Sequence, residues 1–143
     1  MHEFGAQCEH VAVVYLKKHH YSILDRNIRY PQGEVDILAY EPDPVWKGVF
    51  YFAKSRSLAR RIVSADRGTL VIVEVKARQG DGIAPEDRVD AWRFKKLTSA
   101  GYFFCTQYRF SAPRFRIDVI SVLATSHGTY RIRHIKGFCR ERA

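Results

Sequence analysis

The sequence predicts an α/β domain in which helices flank a central mixed β-sheet. The first observation is an apolar stripe of helical period near the N-terminus, followed by three segments with strand-like alternation. The second is a helical segment of roughly 20 residues between the third strand and two later strands, a connection typical of parallel neighbours. The predicted order is therefore α-β-β-β-α-β-β, with an insertion between the second and third strands.

The first helix is predicted from Phe4 to His20. Ala12, Val13 and Leu16 repeat at helical spacing, and no proline interrupts the segment. Glu9 lies on the same apolar stripe, where a carboxylate is costly unless another group pairs with it. This position makes Glu9 a candidate functional residue.

A hairpin is predicted next, with strands over residues 21–29 and 34–40. The segment between them, Tyr30-Pro31-Gln32-Gly33, has the proline and the glycine that a tight turn favours. Strict alternation on the second strand predicts that Glu34, Asp36 and Leu38 share one face. The other face then carries Val35, Ile37 and Ala39.

The third strand is predicted over residues 69–78. Apolar and charged residues alternate there, so Glu74, Lys76 and Arg78 are expected to project together from an otherwise apolar strand. After a loop, a proline and two acidic residues predict a helix that runs from Pro85 to about Cys105. Two further strands are predicted over residues 115–123 and 129–135.

Length and composition favour one folded domain spanning residues 1–143. The chain has 143 residues, of which 46% are hydrophobic and 13% aromatic, and this composition excludes a disordered protein. No apolar run approaches the roughly 18 residues that a membrane helix requires, and the N-terminus lacks the pattern of a signal peptide. We therefore expect a cytoplasmic protein with no membrane partner, whose cysteines are reduced thiols.

The net charge of +9 predicts an anionic partner, and the phosphate backbone of a nucleic acid is the first candidate. The charge is unevenly distributed along the chain. Residues 1–44 carry 4 basic and 7 acidic side chains, residues 45–68 carry 6 and 1, and residues 69–143 carry 14 and 7. An acidic first third in a basic protein indicates that some of its carboxylates do more than solvate the surface.

Four ionisable residues lie where the pattern predicts burial or partial burial: Glu9, Asp36, Glu74 and Lys76. An acid on one strand and acid-x-lysine on the next is what a magnesium-dependent phosphodiesterase needs. Two close carboxylates can bind Mg²⁺ or Mn²⁺, which activates a water and offsets charge on the phosphate. Lys76 is expected to orient the nucleophile or neutralise the transition state. The alternative is a structural ion pair of Lys76 with Asp36 or Glu74 that closes an edge of the sheet.

Two strand motifs resemble those of the YraN family of bacterial proteins. They are Gly33-Glu-Val-Asp-Ile-Leu-Ala39 and Val71-Ile-Val-Glu-Val-Lys-Ala-Arg78, and the likeness extends to Arg26-Asn27-x-Arg29 and Arg116-x-Asp118-Val119. This family has an endonuclease-like domain, and its wider relatives are the PD-(D/E)XK nucleases and archaeal Holliday-junction resolvases. The resemblance implies a restriction-endonuclease-like core and a nuclease that acts on DNA, branched or structured DNA included.

The resemblance also assigns site residues, with Lys76 as the active-site lysine. The acids assigned are Asp36 and Glu74 as metal ligands and Glu9 as a further acid near the metal. Glu34 and Arg78 belong to the matched motifs and are additional candidates. The family usually has a lysine where this chain has Arg93, which keeps the charge but changes its geometry. The aromatic and basic segment 45–68 is not part of the usual pattern.

Basic residues are expected to contact the nucleic acid, with DNA favoured over RNA. The predicted contacts are Arg56, Arg60, Arg61, Arg93, Lys96 and Arg116. In the insertion, Arg67 adds to the positive charge, and Trp46 or Phe50 is suited to stacking on bases. The insertion is equally suited to a contact in a homodimer or to a solvated extension whose aromatic residues pack on the parent domain, and docking of another protein is a further alternative. Pairing with Asp118 is the alternative for Arg116. A non-catalytic nucleic-acid-binding module on the same fold is the main alternative to a nuclease.

Overall fold

A computed structural model describes residues 2–44, 67–80, 89–110 and 112–138, and within them the chain forms two helices and five strands. The helices are α1 (His2–Lys18) and α2 (Ala91–Gln107). The strands are β1 (Ser22–Tyr30), β2 (Gly33–Pro42), β3 (Gly68–Gln79), β4 (Phe115–Ala124) and β5 (Tyr130–Ile135). Neither of the two described helices combines the length and the apolar character that crossing a membrane requires.

The five strands form one sheet in the order β1-β2-β3-β4-β5. Strands β3 and β4 are parallel, and the other neighbouring pairs are antiparallel. The parallel pair consists of the two strands that α2 separates along the chain, as expected of a crossover connection. The predicted α/β class and the mixed sheet are confirmed.

Each helix covers one face of the sheet over its own apolar core. On one face, Leu16 of α1 belongs to a buried cluster with Val71 and Val73 of β3. On the other face, Leu97 of α2 belongs to a cluster with Ile72. Alternation along β3 therefore sends successive residues to the two cores, as the sequence predicts.

Helix α2 begins later than the sequence predicts. Asp90 is its N-cap, with an extended backbone, and the Asp90 Oδ1 accepts a hydrogen bond from the Arg93 amide at 2.7 Å. The prediction of a helix from Pro85 onward is therefore wrong for Val89 and Asp90, while residues 81–88 lie outside the described ranges. An aspartate that satisfies a free amide of the first turn is a strong start signal, and it outweighs the proline and acids upstream.

The faces of β2 depart from strict alternation at Asp36. Ile37 belongs to the core on the α1 side, whereas Val35 and Leu38 both belong to the core on the α2 side. The prediction that Val35 and Ile37 share a face is therefore wrong. In the neighbouring strand β1, Asn27 lies between the residues paired with Ile37 and Val35 and has a positive φ of 46°, so the backbone of β1 is irregular at the same level.

The chain leaves and rejoins the sheet at adjacent points around residues 45–66, which lie outside the described ranges. The Asp43 amide donates a hydrogen bond to the Arg67 carbonyl oxygen at 2.8 Å. Gly68 is the first residue of β3, and a Cβ there would lie 2.3 Å from the backbone oxygen of Glu41. Only glycine fits this close approach, and the β2–β3 ladder begins within the last residues of the predicted insertion.

Two of the three cysteines lie in the described part of the chain. Cys8 and Cys105 are both buried and form no disulfide among the described residues, as expected of reduced thiols. Burial, and to a smaller extent the charge of Glu9, raises the pKa of the Cys8 thiol above its ordinary value, so this thiol stays protonated at neutral pH. Cys139 lies outside the described residues.

The Asp118 carboxylate on β4 is fully buried and is held by three partners. Arg116 Nε donates to Oδ1 at 2.7 Å, His134 Nε2 lies 2.8 Å from Oδ2, and the Gly137 amide donates to Oδ1 at 3.0 Å. Burial alone would raise the pKa of Asp118, but the hydrogen bonds and the charge of Arg116 outweigh burial and lower the pKa. This network joins β4 to β5 and to the turn that follows β5.

Arg116 uses its guanidinium inside the protein. Its Nη1 donates to Glu41 Oε2 at 2.7 Å, and its Nη2 donates to the Tyr21 hydroxyl and to Asp118 Oδ2, each at 2.9 Å. The alternative in which Arg116 pairs with Asp118 is confirmed. A contact of Arg116 with nucleic acid stays a prediction, and it would compete with these internal bonds.

We expect Asp118→Asn to lower the free energy of unfolding by about 3 kcal/mol at pH 7, because Arg116 loses its buried counter-charge. The pKa of Asp118 is lower in the folded protein than its ordinary value of 3.8. The stabilising effect of Asp118 is therefore complete above that ordinary pKa and is lost as the pH falls through the folded pKa. Urea unfolding at pH 7 and near pH 3 measures the difference, which should shrink at the lower pH.

Asp43→Asn is the matched control for this variant. Asp43 pairs with Arg114 at 3.1 Å, but both side chains are largely exposed, and such surface pairs contribute about 1 kcal/mol or less. Equal destabilisation by the two substitutions, or a loss in Asp118→Asn that does not change with pH, would contradict the assignment of Asp118 as the buried centre of the network.

Candidate functional site

The candidate site lies where β2 and β3 separate. Their backbone ladder runs from the Pro42–Gly68 pair to the Ile37–Val73 pair. Just beyond that end, the side chain of Asp36 takes the place of a backbone carbonyl, because its Oδ2 accepts a hydrogen bond from the Val75 amide at 2.8 Å. This bond satisfies an amide that the ladder leaves unpaired and fixes the Asp36 carboxylate between the two strands.

Glu74, the residue after the last position of β3 that pairs with β2, is buried with a relative exposure of 4%. Its carboxylate is held by two cations. Arg93 of α2 donates from Nε at 3.1 Å to Oε1 and at 3.0 Å to Oε2, and its Nη2 also donates to Oε2. Lys76 Nζ lies 3.1 Å from Oε1, so the predicted alternative of an ion pair between Glu74 and Lys76 is present. Glu74 is thus neutralised from the helix and from its own strand.

Arg93 connects three elements at this point. Besides its bonds to Glu74, its Nη1 donates to the backbone oxygen of Glu34 at 3.1 Å. The Asp90 cap fixes the backbone of the same residue in the first turn of α2. Because a guanidinium presents several donors in a fixed plane, one arginine can bridge β2, β3 and α2 here.

Asp36 is in a different electrostatic state from Glu74. The pKa of Asp36 is raised from 3.8 to about 7; burial is the largest cause, the negative charge of Glu74 is the next, and Glu9 adds a smaller effect in the same direction. The hydrogen bond from Val75 and the charge of Arg93 oppose this shift without overcoming it. At neutral pH the Asp36 carboxyl group is therefore only partly ionised, and a cation next to it would stabilise its ionised form.

Glu9 of α1 approaches the site from the other side. Its Oε2 accepts a hydrogen bond from Asn27 Nδ2 at 3.1 Å, and its charge acts on Asp36. Asn27 has a positive φ at the level of Asp36, so the residue that holds Glu9 also has an unusual backbone conformation. Sequence reasoning gave Asn27 no role, although it lies in the Arg26-Asn27-x-Arg29 motif.

The remaining predicted site residues are distributed around this centre. The Glu34 side chain is exposed and lies 3.5 Å from Arg29, and Arg78 is partly buried two residues beyond Lys76 on β3. Lys96 places its ammonium 3.8 Å above the ring of Trp92, a residue that sequence reasoning treated only as part of a helix. The predicted contacts that lie outside the described residues are Arg56, Arg60, Arg61, Trp46 and Phe50.

Asp36 and Glu74 are the residues that could hold a divalent cation. Within the described ranges, no group of three or more histidine, cysteine, aspartate or glutamate side chains is arranged to hold a metal ion. The donor set fits a site with two carboxylates, in which waters and a phosphate supply the other ligands, as Mg²⁺ favours. Because burial and Glu74 raise the pKa of Asp36, a bound cation would stabilise its ionised form, whereas Arg93 and Lys76 already hold Glu74. A role of Glu9 as a ligand stays a prediction.

Comparison with known proteins identifies the family. Residues 8–122 match the model of the family described as Uncharacterised protein family UPF0102. The chain belongs to the UPF0102 family. This is the YraN family that the sequence motifs resemble, so that prediction is confirmed. The matched range contains Glu9, Asp36, Glu74 and Lys76 together with Arg93.

Relatives within the UPF0102 family are similar over nearly their whole length. A UPF0102 protein of Paenarthrobacter aurescens is 32% identical over 136 residues, which cover 94% of this chain and 92% of the relative. One of Kosmotoga olearia is 34% identical over 136 residues, with 95% and 92% covered. One of Bacteroides thetaiotaomicron is 33% identical over 135 residues, with 94% and 89% covered. The likeness to these three relatives therefore extends over nearly the whole of this chain.

We expect Asp36→Asn to raise the free energy of unfolding at pH 8 when divalent metals are removed by EDTA. Asparagine keeps an acceptor for the Val75 amide but carries no charge. Because the pKa of Asp36 is about 7 in the folded protein and 3.8 ordinarily, the wild type loses stability as the pH rises between these values. The advantage of the variant should be absent below pH 4 and grow to at most on the order of 4 kcal/mol at pH 8.

Urea unfolding between pH 3.5 and pH 8 measures this dependence. Asp25→Asn is the control, because Asp25 is an exposed carboxylate on β1 and its removal should give no pH-dependent gain. A difference between Asp36→Asn and wild type that stays constant over the whole pH range would show that Asp36 is ionised normally in the folded protein.

Proposed function

We propose that the protein is a metal-dependent nuclease-like phosphodiesterase that hydrolyses DNA, with branched or structured DNA as its preferred substrate. The observation that carries the proposal is the meeting of Asp36, Glu74 and Lys76 at the point where β2 and β3 separate. An acid with a pKa raised to about 7 beside a second acid and a lysine is a perturbed cluster of the kind that functional sites contain.

Two carboxylates would hold the metal, Mg²⁺ or Mn²⁺, in this proposal: Asp36 from β2 and Glu74 from β3. The cation, when bound, lowers the pKa of a water and offsets charge on the phosphate. The protein's part is to hold the two carboxylates in position. The Val75 amide fixes Asp36, and the strand after Val73 carries Glu74 toward the same place.

Lys76 is the residue that would contact the reacting phosphate. Its ammonium is partly exposed and lies 3.1 Å from Glu74, so it stands at the boundary between the buried acids and solvent. In the reaction, a water oxygen forms a bond to phosphorus, and the bond from phosphorus to one sugar oxygen breaks. That oxygen takes up a proton originating from the water. A lysine beside the phosphate stabilises the charge that develops in this step.

The fold and the family support the proposal in a limited way. The α/β topology, with acids on two neighbouring strands of a mixed sheet, is compatible with a restriction-endonuclease-like core of the PD-(D/E)XK type. The description of the UPF0102 family names no activity, so the substrate class rests on the site and on the net charge of +9.

A second candidate function is a nucleic-acid-binding module that does not hydrolyse its ligand. The specific observation in its favour is that Glu74 is already neutralised by Arg93 and Lys76. In that case the cluster is a structural ion network, and the basic surface alone binds the polyanion. Such binding would depend steeply on salt and would survive substitution of Asp36 or Lys76.

Arg93 gives the metal proposal a direct test, because its guanidinium competes with a cation for Glu74. We expect Arg93→Met to lower the dissociation constant for Mg²⁺ by roughly tenfold, since hydrogen bonds to a charged group of this kind contribute about 1.5–3 kcal/mol. Calorimetric titration with MgCl₂ at pH 7.5 measures the affinity, and the rise in melting temperature with Mg²⁺ provides a second measurement.

Lys95→Met is the control for Arg93→Met. Lys95 is an exposed residue of the same helix, and its replacement by methionine removes the same formal charge as Arg93→Met. The Mg²⁺ affinity of Lys95→Met should equal that of the wild type within about twofold, a difference below about 0.4 kcal/mol. If Arg93→Met binds Mg²⁺ no better than Lys95→Met, Glu74 is not a ligand.

Cleavage assays on linear duplex, single-stranded, flapped and four-way DNA with Mg²⁺ or Mn²⁺ test the activity itself. We expect the wild type to cut the branched substrates and EDTA to abolish cleavage. Asp36→Asn and Lys76→Met should each lower the rate about a hundredfold or more, because several kcal/mol of transition-state stabilisation are lost. Asp36→Asn is expected to be stably folded, so its loss of activity would not arise from unfolding.

Asp25→Asn serves again as a charge-matched control, and its cleavage rate should equal that of the wild type. The nuclease proposal fails if the wild type binds no metal and leaves all four substrates intact. Salt-dependent binding that is unchanged in Asp36→Asn and Lys76→Met, with no cleavage in any variant, would instead establish the binding module.

A further inference from the structure

Trp92 is an exposed aromatic residue with no role in either apolar core. Its relative exposure is 66%, compared with 54% for Tyr102 and 42% for Tyr130. It belongs to neither of the large buried clusters, although a tryptophan side chain offers more apolar area to a core than almost any other. Trp92 therefore exposes a large flat ring to solvent and does not gain the hydrophobic free energy that burial of the ring in a core would provide.

The position of Trp92 is fixed by the framework beneath it. It is the second residue of α2, and the Asp90 cap fixes the backbone of this first turn. One turn later, the Lys96 carbonyl oxygen accepts a hydrogen bond from the Tyr30 hydroxyl at 2.6 Å, which attaches the helix to the end of β1. The ring thus projects from a rigid helix rather than from a loop.

Trp92 lies on the same helical turn as a residue of the candidate site. The next residue along the helix is Arg93, whose guanidinium binds Glu74. Successive side chains on a helix point in different directions, so the indole projects to one side of Arg93 rather than toward Glu74. A ligand bound at the candidate site would have to extend past Arg93, along the first turn of α2, to reach the indole.

A cation lies against the ring of Trp92, although the capping Asp90 stands two residues before it. Lys96 Nζ lies 3.8 Å from the centroid of the indole ring, and α2 has no acidic residue in its first turn. Exposed cation–π contacts are weak, about 0.5–1 kcal/mol, so the Lys96 ammonium can leave the ring for a stronger partner. A planar ring with a mobile ammonium beside it matches a nucleotide, whose base stacks while its phosphate meets the cation.

We infer that Trp92 and Lys96 form a subsite for one unpaired nucleotide next to the phosphate that the candidate site binds. The base stacks on the Trp92 indole, and Lys96 contacts the adjoining phosphate. The inference rests on the proposed function for its substrate, and it deepens that function because stacking on Trp92 requires a base that is not inside a duplex. It gives a physical reason for a preference for flaps, junctions or single strands over linear duplex.

Tryptophan fluorescence tests the inference without catalysis. The chain has two tryptophans, so Trp46→Phe leaves Trp92 as the only one. In EDTA, titration with a single-stranded oligothymidine should quench the emission of Trp92, and a blunt duplex of equal length should quench it much less. Trp92→Ala should weaken binding of the single strand about 5- to 100-fold, while Trp92→Phe should restore most of the affinity.

Tyr130→Ala is the control, because Tyr130 is an exposed aromatic residue on β5 and its loss should leave the affinity within about twofold, a change of about 0.4 kcal/mol or less. The inference is overturned if Trp92→Ala binds the single strand as well as the wild type, or loses affinity for duplex and single strand equally. A protein partner on this surface would give that first result. If the single strand binds through Trp92 but no metal supports cleavage, the proposed function is overturned and the subsite is retained. If cleavage occurs at the same rate in Trp92→Ala as in the wild type, the subsite is overturned and the proposed function is retained.

Discussion

The hydrogen bond from the Val75 amide to Asp36 is the contact on which the site depends. The β2–β3 ladder ends at Ile37 and Val73, and beyond these two residues the strands are no longer paired with each other. Without an acceptor at this point, a partly buried amide would remain unpaired, at a cost of about 1–3 kcal/mol. Asp36 supplies the acceptor, and because Glu74 precedes Val75, the same bond determines how far apart the two carboxylates lie. The contacts of Glu74 with α2 follow from that geometry.

Asp36 and Asp118 show how environment divides one residue type between two roles. Asp118 is the more deeply buried, yet Arg116, His134 and a backbone amide satisfy its oxygens and lower its pKa. Asp36 has one amide donor and a neighbouring negative charge, and its pKa rises to about 7. A carboxylate with complete partners stabilises the fold and has little to gain from a ligand. A carboxylate whose oxygens are only partly paired gains most from a bound cation, and for this reason the proposed metal site is placed at Asp36.

Much of the architecture could be predicted from local periodicity, and the exceptions have identifiable causes. Alternation along β3 was sufficient to place Glu74 and Lys76 on one face, because an ionisable residue in an apolar strand is visible in the pattern itself. The face of Val35 could not be predicted, because strict alternation takes no account of the irregular pleat that sends Val35 and Ile37 to opposite cores. The partners of Arg93 could not be predicted either. They come from β2 and β3, and no local pattern encodes which acid an arginine will reach across the fold.

The closure at Asp43 and Arg67 has an evolutionary consequence. Two backbone groups that flank residues 45–66 are joined by a hydrogen bond of 2.8 Å, so the sheet already brings the two ends together whatever sequence connects them. The entropy cost of closing a loop grows only slowly with its length, by about 0.6 kcal/mol for each doubling. Insertions and deletions between these two residues should therefore be nearly neutral for the register of β2 and β3. The framework that holds Asp36 and Glu74 is therefore independent of the length of this segment.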